Sequence, residues 1–121
     1  KDRAGAASAV SETGYELGTA LGIALLGSIL TAVYQGTLNP PAGLPAGVRE
    51  AANESPGEAF EAMAGLPDDM AASLTDAVHV AFTHALQVTT WVGAAVLIVG
   101  AVVTYRLLPG RSEAVNEMVA H

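Results

Sequence analysis

The sequence predicts an all-α membrane hairpin: two antiparallel transmembrane helices joined by a long, partly helical outer loop. Two apolar segments without a charged residue, 17–34 and 85–105, carry this prediction. They are about 18 and 21 residues long, enough for a helix to cross ~30 Å of hydrocarbon. Neither alternates with a period of two, which argues against strands. The composition agrees, since 51% of the 121 residues are hydrophobic, 14% are charged, and the mean hydropathy is +0.42.

The pattern divides the chain into five segments. In order, these are a lead-in at 1–3, a first transmembrane helix at 4–34, an acidic loop with short helices at 35–71, a long helix containing the last transmembrane span at 72–108, and a tail at 109–121. The first apolar run is longer than the apolar region of a secretory signal. The sequence has no initiator methionine, and Lys1-Asp2-Arg3 leads directly into the apolar run, so we expect the chain to be the tail of a larger protein.

Helix-start signals occur within the loop. Ser55 precedes Pro56, which predicts a helix capped by the serine hydroxyl with proline at its first position. Gly65 is suited to end that helix. Residues 67–69, Pro-Asp-Asp, predict the start of the next helix, because acidic side chains favour the positive N-terminal end.

The basic residues predict the topology. Four of the five flank the ends of the hairpin: Lys1, Arg3, Arg106 and Arg111. Only Arg49 lies in the loop, so the positive-inside rule places both termini in the cytoplasm and the loop outside. Tyr34 and Trp91 are then expected at the outer membrane interface and Tyr105 at the inner one.

Two glutamates precede the first apolar run. At 100° per residue, Glu12 and Glu16 share one helix face, on which Thr19 and Ile23 also lie. This face should contact protein or water, because a carboxylate in hydrocarbon is costly. If Arg3 marks the inner membrane surface, both acids lie within the membrane. If the span begins at the apolar run, they form an interfacial pair bonded to neighbouring helices.

A stripe of glycines occupies roughly the opposite face of the same helix: Gly14, Gly18 and Gly22. This small-xxx-small spacing predicts close packing of another helix and carries no chemistry.

Several function classes are disfavoured. The formal net charge of −7 argues against nucleic acid, and the absence of cysteine excludes disulfides and thiolate metal sites. His79 and His84 are five residues apart and face different sides of a helix, so a solvated or capping role is favoured over a metal site with Asp76. No nucleophile–base spacing indicates an enzyme, and no cofactor is expected.

The residues from Arg3 to Tyr34, RAGAASAVSETGYELGTALGIALLGSILTAVY, are followed by the long loop and a last span ending in TYRLLP. This arrangement resembles the last two spans of fourteen-span drug:proton antiporters of the major facilitator superfamily, the EmrB/QacA type. The core GAASAVSETGYELGTALG, residues 5–22, is the most specific part. The resemblance implies a fragment of a major facilitator fold, with the two helices as spans thirteen and fourteen.

The resemblance also implies a function. Such proteins are multidrug exporters of the bacterial inner membrane that confer antibiotic resistance, and their partners here would be the remaining spans, the lipid bilayer, protons and hydrophobic, often cationic, drugs. Glu12 falls at the family's intramembrane acid. From its position one turn away, Glu16 is expected to modulate Glu12 or to be a helix-packing partner. Some members carry a second acid where this chain has Ser11, so binding of doubly charged substrates is not implied.

The implied mechanism is competition between a proton and a cationic drug for one carboxylate. A carboxyl group in poorly solvated surroundings is more easily protonated; the neutral form tolerates a dry site and the ionised form attracts a cation. Two helices do not enclose a path, so the chain is not expected to transport alone.

Two other function classes remain open. The chain could be a small two-span interaction protein that oligomerises through the glycine stripe, or, less favoured, a soluble acidic helical protein. The acidic loop is interpreted as a solvated surface, with attraction of cations to the outer mouth as the alternative.

Overall fold

A computed structural model of the chain describes residues 2–107, excluding the side chains of residues 2–4 and 7. Helices are the regular secondary structure of the described residues, which include no strand, and this confirms the all-α prediction. Two long helices are separated by two short helices and a 3-10 turn at Met63–Gly65: α1 (Asp2–Thr37), α2 (Ala46–Glu54), α3 (Pro56–Ala62) and α4 (Asp68–Leu107). Lys1, Arg111 and the predicted tail at 109–121 lie outside the described residues.

The two long helices have the length and composition of membrane spans. Ser8–Thr37 and Asp68–Leu107 each contain an 18-residue window apolar enough to cross a membrane, of which 6% and 0% is buried. Neither window is therefore the buried core of a soluble protein. With 36 and 40 residues, α1 and α4 are about 54 and 60 Å long at ~1.5 Å per residue. Both exceed the ~30 Å of a bilayer core, so part of each helix lies outside it.

The long helices extend beyond the segments set out from the sequence. α1 continues to Thr37 before the chain reaches Pro40 and Pro41. α4 begins at Asp68, directly after Pro67, with two acidic residues in its first turn. Pro40 lacks the N–H that would continue α1. Pro67 disfavours a helical conformation at the preceding Leu66, which is extended, so α4 begins after it.

We call residues 38–67, which join the two long helices, the connecting module. The predicted cap is confirmed: the Ser55 hydroxyl accepts a hydrogen bond of 3.2 Å from the Glu58 N–H, and Pro56 is the first residue of α3. The predicted stop is also present, since Gly65 ends the 3-10 turn and the Leu66 N–H donates to the Met63 carbonyl over 3.0 Å.

The connecting module packs against the end of α1 and the first half of α4. All four helices contribute buried side chains to one core: Tyr34, Leu38, Leu44, Ala52, Ala59, Met63, Leu74, Val78, Ala81 and Ala85. Gly43 adopts a positive φ of 86° in the turn before Leu44, a conformation that favours glycine, and the turn brings Leu44 into this core. Half of these ten buried residues therefore lie in the predicted outer loop at 35–71.

Tyr34 is buried in this core, which the sequence did not predict. Its ring is only 2% exposed, and its hydroxyl donates a 2.8 Å hydrogen bond to the buried carbonyl of Ala52. Burial of the ring in the core and a satisfied hydroxyl explain the position, because buried tyrosine hydroxyls usually find a partner.

The chain comprises two units, residues 1–90 and 91–121. The first contains α1, the connecting module and the first part of α4. In the second, the described residues form the end of α4, where exposed apolar side chains include Trp91 at 77% and Tyr105 at 83%.

Candidate functional site

Glu12 and Glu16 lie on α1 with exposed side chains. One turn separates them, about 6 Å along the helix axis. Thr19, on the same face, uses its hydroxyl to donate a 2.9 Å hydrogen bond to the Tyr15 carbonyl, so it is satisfied within the helix. The glutamates are therefore the groups of this face that most need other partners or water.

The exposure of this face has an energetic consequence. Ile23, 70% exposed, continues the face toward the apolar part of α1. An ionised carboxylate facing lipid costs several kcal/mol, whereas one facing other helices or a water-filled cavity is tolerated. In a membrane, the arrangement can hold protons or cations at Glu12 and Glu16 only where further protein encloses them.

The glycine stripe is open in the described chain. A Cβ built at Gly14, Gly18 or Gly22 meets nothing within 4 Å. Each glycine costs roughly 1 kcal/mol relative to alanine inside a helix. No contact in the described chain offsets this cost, so the packing role predicted for the stripe depends on a helix beyond these residues.

Small side chains continue along α1 beyond the stripe. They form a shallow, open concavity lined by Ile23, Ala24, Gly27, Ser28, Thr31, Ala32 and Gln35. The Ser28 hydroxyl donates a 2.8 Å hydrogen bond to the Ala24 carbonyl, so this donor is satisfied within the helix. The concavity is suited to close contact with another helix.

The two histidines of α4 are exposed on its first half. The ring of His79 lies against Phe60 of α3, with centroids 5.9 Å apart and planes inclined by 55°. His84 lines a surface depression with His79. Within residues 2–107, no group of three or more histidine, aspartate or glutamate side chains could hold a metal ion.

Sequence reasoning missed a crevice between α1, the α2–α3 junction and α4. It is lined by Leu30, Thr31, Tyr34, Glu54, Ser55, Pro56 and Phe82. These residues come from three separate stretches of sequence, so no local periodicity or spacing signals the site. Locally, Ser55 and Pro56 indicate only a helix start, and Glu54 is one of several acidic residues of the loop.

Comparison with known proteins shows similarity to a multidrug efflux pump. The chain is 43% identical over 101 residues to the multidrug efflux pump LfrA of Mycolicibacterium smegmatis. The match covers 84% of this chain and 20% of the pump, so the chain spans about a fifth of that relative's length. No family model and no solved structure matches the chain. The chain is thus similar over most of its length to one section of a multidrug efflux pump, and it contains two helices that could cross a membrane.

Proposed function

We propose that this chain is the C-terminal part of a proton-coupled multidrug efflux transporter and is not an enzyme. The observation that carries the proposal is the 43% identity to an efflux pump over 84% of the chain. Two long apolar helices with exposed faces are the elements such a section of a transporter requires. The finer assignment, spans thirteen and fourteen of a major facilitator antiporter of the EmrB/QacA type, belongs to the same proposal.

The proposed topology places both termini in the cytoplasm and the connecting module outside the bacterial inner membrane. The supporting observation is that Arg49 is the single lysine or arginine in the loop at 35–71, against acidic residues at Glu50, Glu54, Glu58, Glu61, Asp68 and Asp69. Basic residues are enriched on the cytoplasmic side of membrane proteins. In this orientation Glu12 and Glu16 lie toward the cytoplasmic end of α1.

The proposed mechanism uses Glu12 as the coupling carboxylate. A proton on the carboxyl group removes its charge, and release of that proton leaves an anion that binds a cationic drug. The two ligands cannot occupy the anion together, so binding of one favours release of the other. Glu16, one turn away, places a second negative charge on the same helix face.

The exposed surfaces of α1 support a requirement for further spans. The glutamate face and the open glycine stripe each need cover in a membrane, and they lie on roughly opposite sides of one helix. We infer that other spans of the transporter cover both. Oligomerisation of a two-span protein would use the same stripe, but similarity to an efflux pump favours the transporter.

A chimera tests the proposal. The matched section of LfrA is replaced by this chain, and efflux of a fluorescent hydrophobic cation is measured in cells lacking other pumps. We expect the chimera to export the dye. We also expect this export to stop when an uncoupler dissipates the proton gradient. A chimera that reaches the membrane in normal amount but exports no dye would contradict the proposal. Export that survives the uncoupler would contradict proton coupling alone.

A further inference from the structure

We propose that α1 crosses the membrane closer to its N-terminus than its uncharged apolar run indicates, so that Glu16 lies in the hydrocarbon layer, deeper than Glu12. The proposal deepens the proposed function and rests on its topology, in which the connecting module is outside the membrane. The sequence leaves two placements open, a span that begins soon after Arg3 and a span that begins at Leu17. The packing of α1 against α4 favours the first.

The second apolar segment sets a reference level on α4. This uncharged run, 85–105, is about 21 residues long, which matches ~30 Å of hydrocarbon and places its outer end at Ala85. The part of α4 before Ala85 carries three aspartates: Asp68, Asp69 and Asp76. Charged side chains are costly in hydrocarbon, so this part of the helix lies outside it.

The residues of α1 that lie beside α4 give the corresponding level on α1. Three of them line one crevice with Phe82: Leu30, Thr31 and Tyr34. The level of Phe82 therefore corresponds to about position 32 of α1. The two helices run in opposite directions, and Ala85 is three residues further along α4 toward the membrane. At an equal rise per residue, α1 reaches the level of Ala85 at about position 29.

This level determines the depth of the two acids. A helix needs about 20 residues to cross the hydrocarbon, so the inner edge of the layer falls at about position 9 of α1. At ~1.5 Å per residue, Glu12 lies about 5 Å and Glu16 about 11 Å inside that edge. Arg3 falls on the cytoplasmic side of the edge, in agreement with the positive-inside rule.

The exposed side chains of α1 change character near the same level. Leu21, Ile23 and Leu25 are apolar and at least 61% exposed, which suits a helix surrounded by lipid and other spans. Thr31 and Gln35, beyond position 29, are polar and exposed. A span that begins further along the helix would place both of these polar side chains within the hydrocarbon.

The two carboxyl groups therefore need cover over a greater depth than Glu12 alone would. An ionised side chain is tolerated inside a membrane only where it faces protein or a water-filled cavity. The spans that cover the glutamate face must then supply hydrogen-bond donors or water at the level of Glu16 as well as at the level of Glu12. Glu16 is thus a second intramembrane acid and not an interfacial one.

Spin labels at two leucines test the placement. The chain contains no cysteine, and Leu17 and Leu25 are both exposed on α1, at 58% and 64%. Leu17→Cys and Leu25→Cys are introduced separately into the LfrA chimera, with any cysteine of the pump section replaced by serine. Each purified variant is labelled with a nitroxide in lipid nanodiscs. Collision rates are then measured with oxygen, which concentrates at the bilayer centre, and with a water-soluble nickel chelate.

The two placements predict opposite orders of depth. In the proposed placement, Leu17 lies about 3 Å and Leu25 about 9 Å from the bilayer midplane, so the oxygen-to-nickel ratio should be higher at Leu17. A span that begins at Leu17 gives about 15 Å and 3 Å instead. A ratio at Leu17 equal to or lower than that at Leu25 would overturn the proposal.

A third label checks the outer edge. Gln35→Cys lies about 9 Å beyond the hydrocarbon in the proposed placement, so its label should collide mainly with the nickel chelate. Protection of this label from the chelate, with high oxygen contact, would also contradict the placement. These measurements require no export. A chimera with the predicted depth order that exports no dye would therefore count against the proposed function and not against the placement.

Discussion

Replacing Tyr34 by phenylalanine should loosen the connecting module without changing its apolar core. The substitution keeps the aromatic ring and removes the hydroxyl that donates to the Ala52 carbonyl over 2.8 Å. Ala52 is 0% exposed and Tyr34 is 2% exposed, so water cannot replace the lost donor without opening the core.

The cost follows from the buried carbonyl that remains. An unsatisfied buried acceptor costs about 1–3 kcal/mol, and the ring packing is retained. We expect the free energy of opening the module to fall by about 1–2 kcal/mol. Such a change raises the open population roughly 5- to 30-fold.

Arg49 provides a built-in reporter of this opening. It is the single lysine or arginine between Arg3 and Arg106, and it lies in α2 with its N–H bonded to the Pro45 carbonyl at 3.0 Å. Trypsin requires an extended chain, so cleavage at Arg49 follows the population in which α2 is open. The cleavage rate, measured by mass spectrometry of the chain in micelles, should rise 5- to 30-fold in Tyr34→Phe.

A second tyrosine on the same helix is the matched control. Tyr15 is 76% exposed, and Tyr15→Phe should leave the cleavage rate unchanged. A Tyr34→Phe rate within twofold of the unchanged chain would refute the argument that this hydrogen bond fastens the module to α1.

Three further substitutions test other parts of the structure. Leu74→Ala removes a fully buried side chain and should cost about 2–5 kcal/mol, seen as a larger increase in cleavage at Arg49 than Tyr34→Phe produces; an unchanged rate would contradict the packed core. Ser55→Ala removes the cap of α3 and should cost about 1 kcal/mol by the same measurement, whereas Ser55→Asp, which can also cap, should restore the rate. Gly18→Leu should leave the helix content of the chain unchanged by circular dichroism, because a Cβ there meets nothing within 4 Å, but should abolish export by the LfrA chimera; normal export would contradict packing on the stripe.

Local patterns predicted the elements of this chain well. Two long uncharged apolar runs were sufficient to predict two long helices. Ser55 followed by Pro56 was sufficient to predict the start of α3. Both signals act through neighbouring residues, by hydropathy in the first case and by a missing N–H and a capping hydroxyl in the second.

Long-range packing was not predictable in the same way. Tyr34 bonds to a residue 18 positions away, and its burial depends on how α2, α3 and α4 surround it. From sequence, an aromatic residue at the end of an apolar run has two readings, membrane interface or core, and composition alone does not separate them. The acidic composition of the middle segment likewise predicted a solvated surface and did not indicate a core. Its charged side chains are exposed, but small apolar residues such as Ala52 and Ala59 are buried.

The glutamate site illustrates the remaining limit of sequence reasoning. Helix periodicity places Glu12 and Glu16 on one face, and the structure shows both exposed on α1. The groups that enclose them belong, in our proposal, to other spans. The surroundings of Glu12 and Glu16 therefore depend on the whole transporter and cannot be predicted from this section of it.

Export by the LfrA chimera carrying Glu12→Gln tests the central proposal most directly. Dye export is compared at several external pH values, with membrane expression measured in parallel and Glu16→Gln as the matched variant one turn away. We predict that Glu12→Gln abolishes export at every pH while expression is unchanged, and that Glu16→Gln retains export with an altered pH dependence. Normal, pH-dependent export by Glu12→Gln would contradict the role of this carboxylate in coupling.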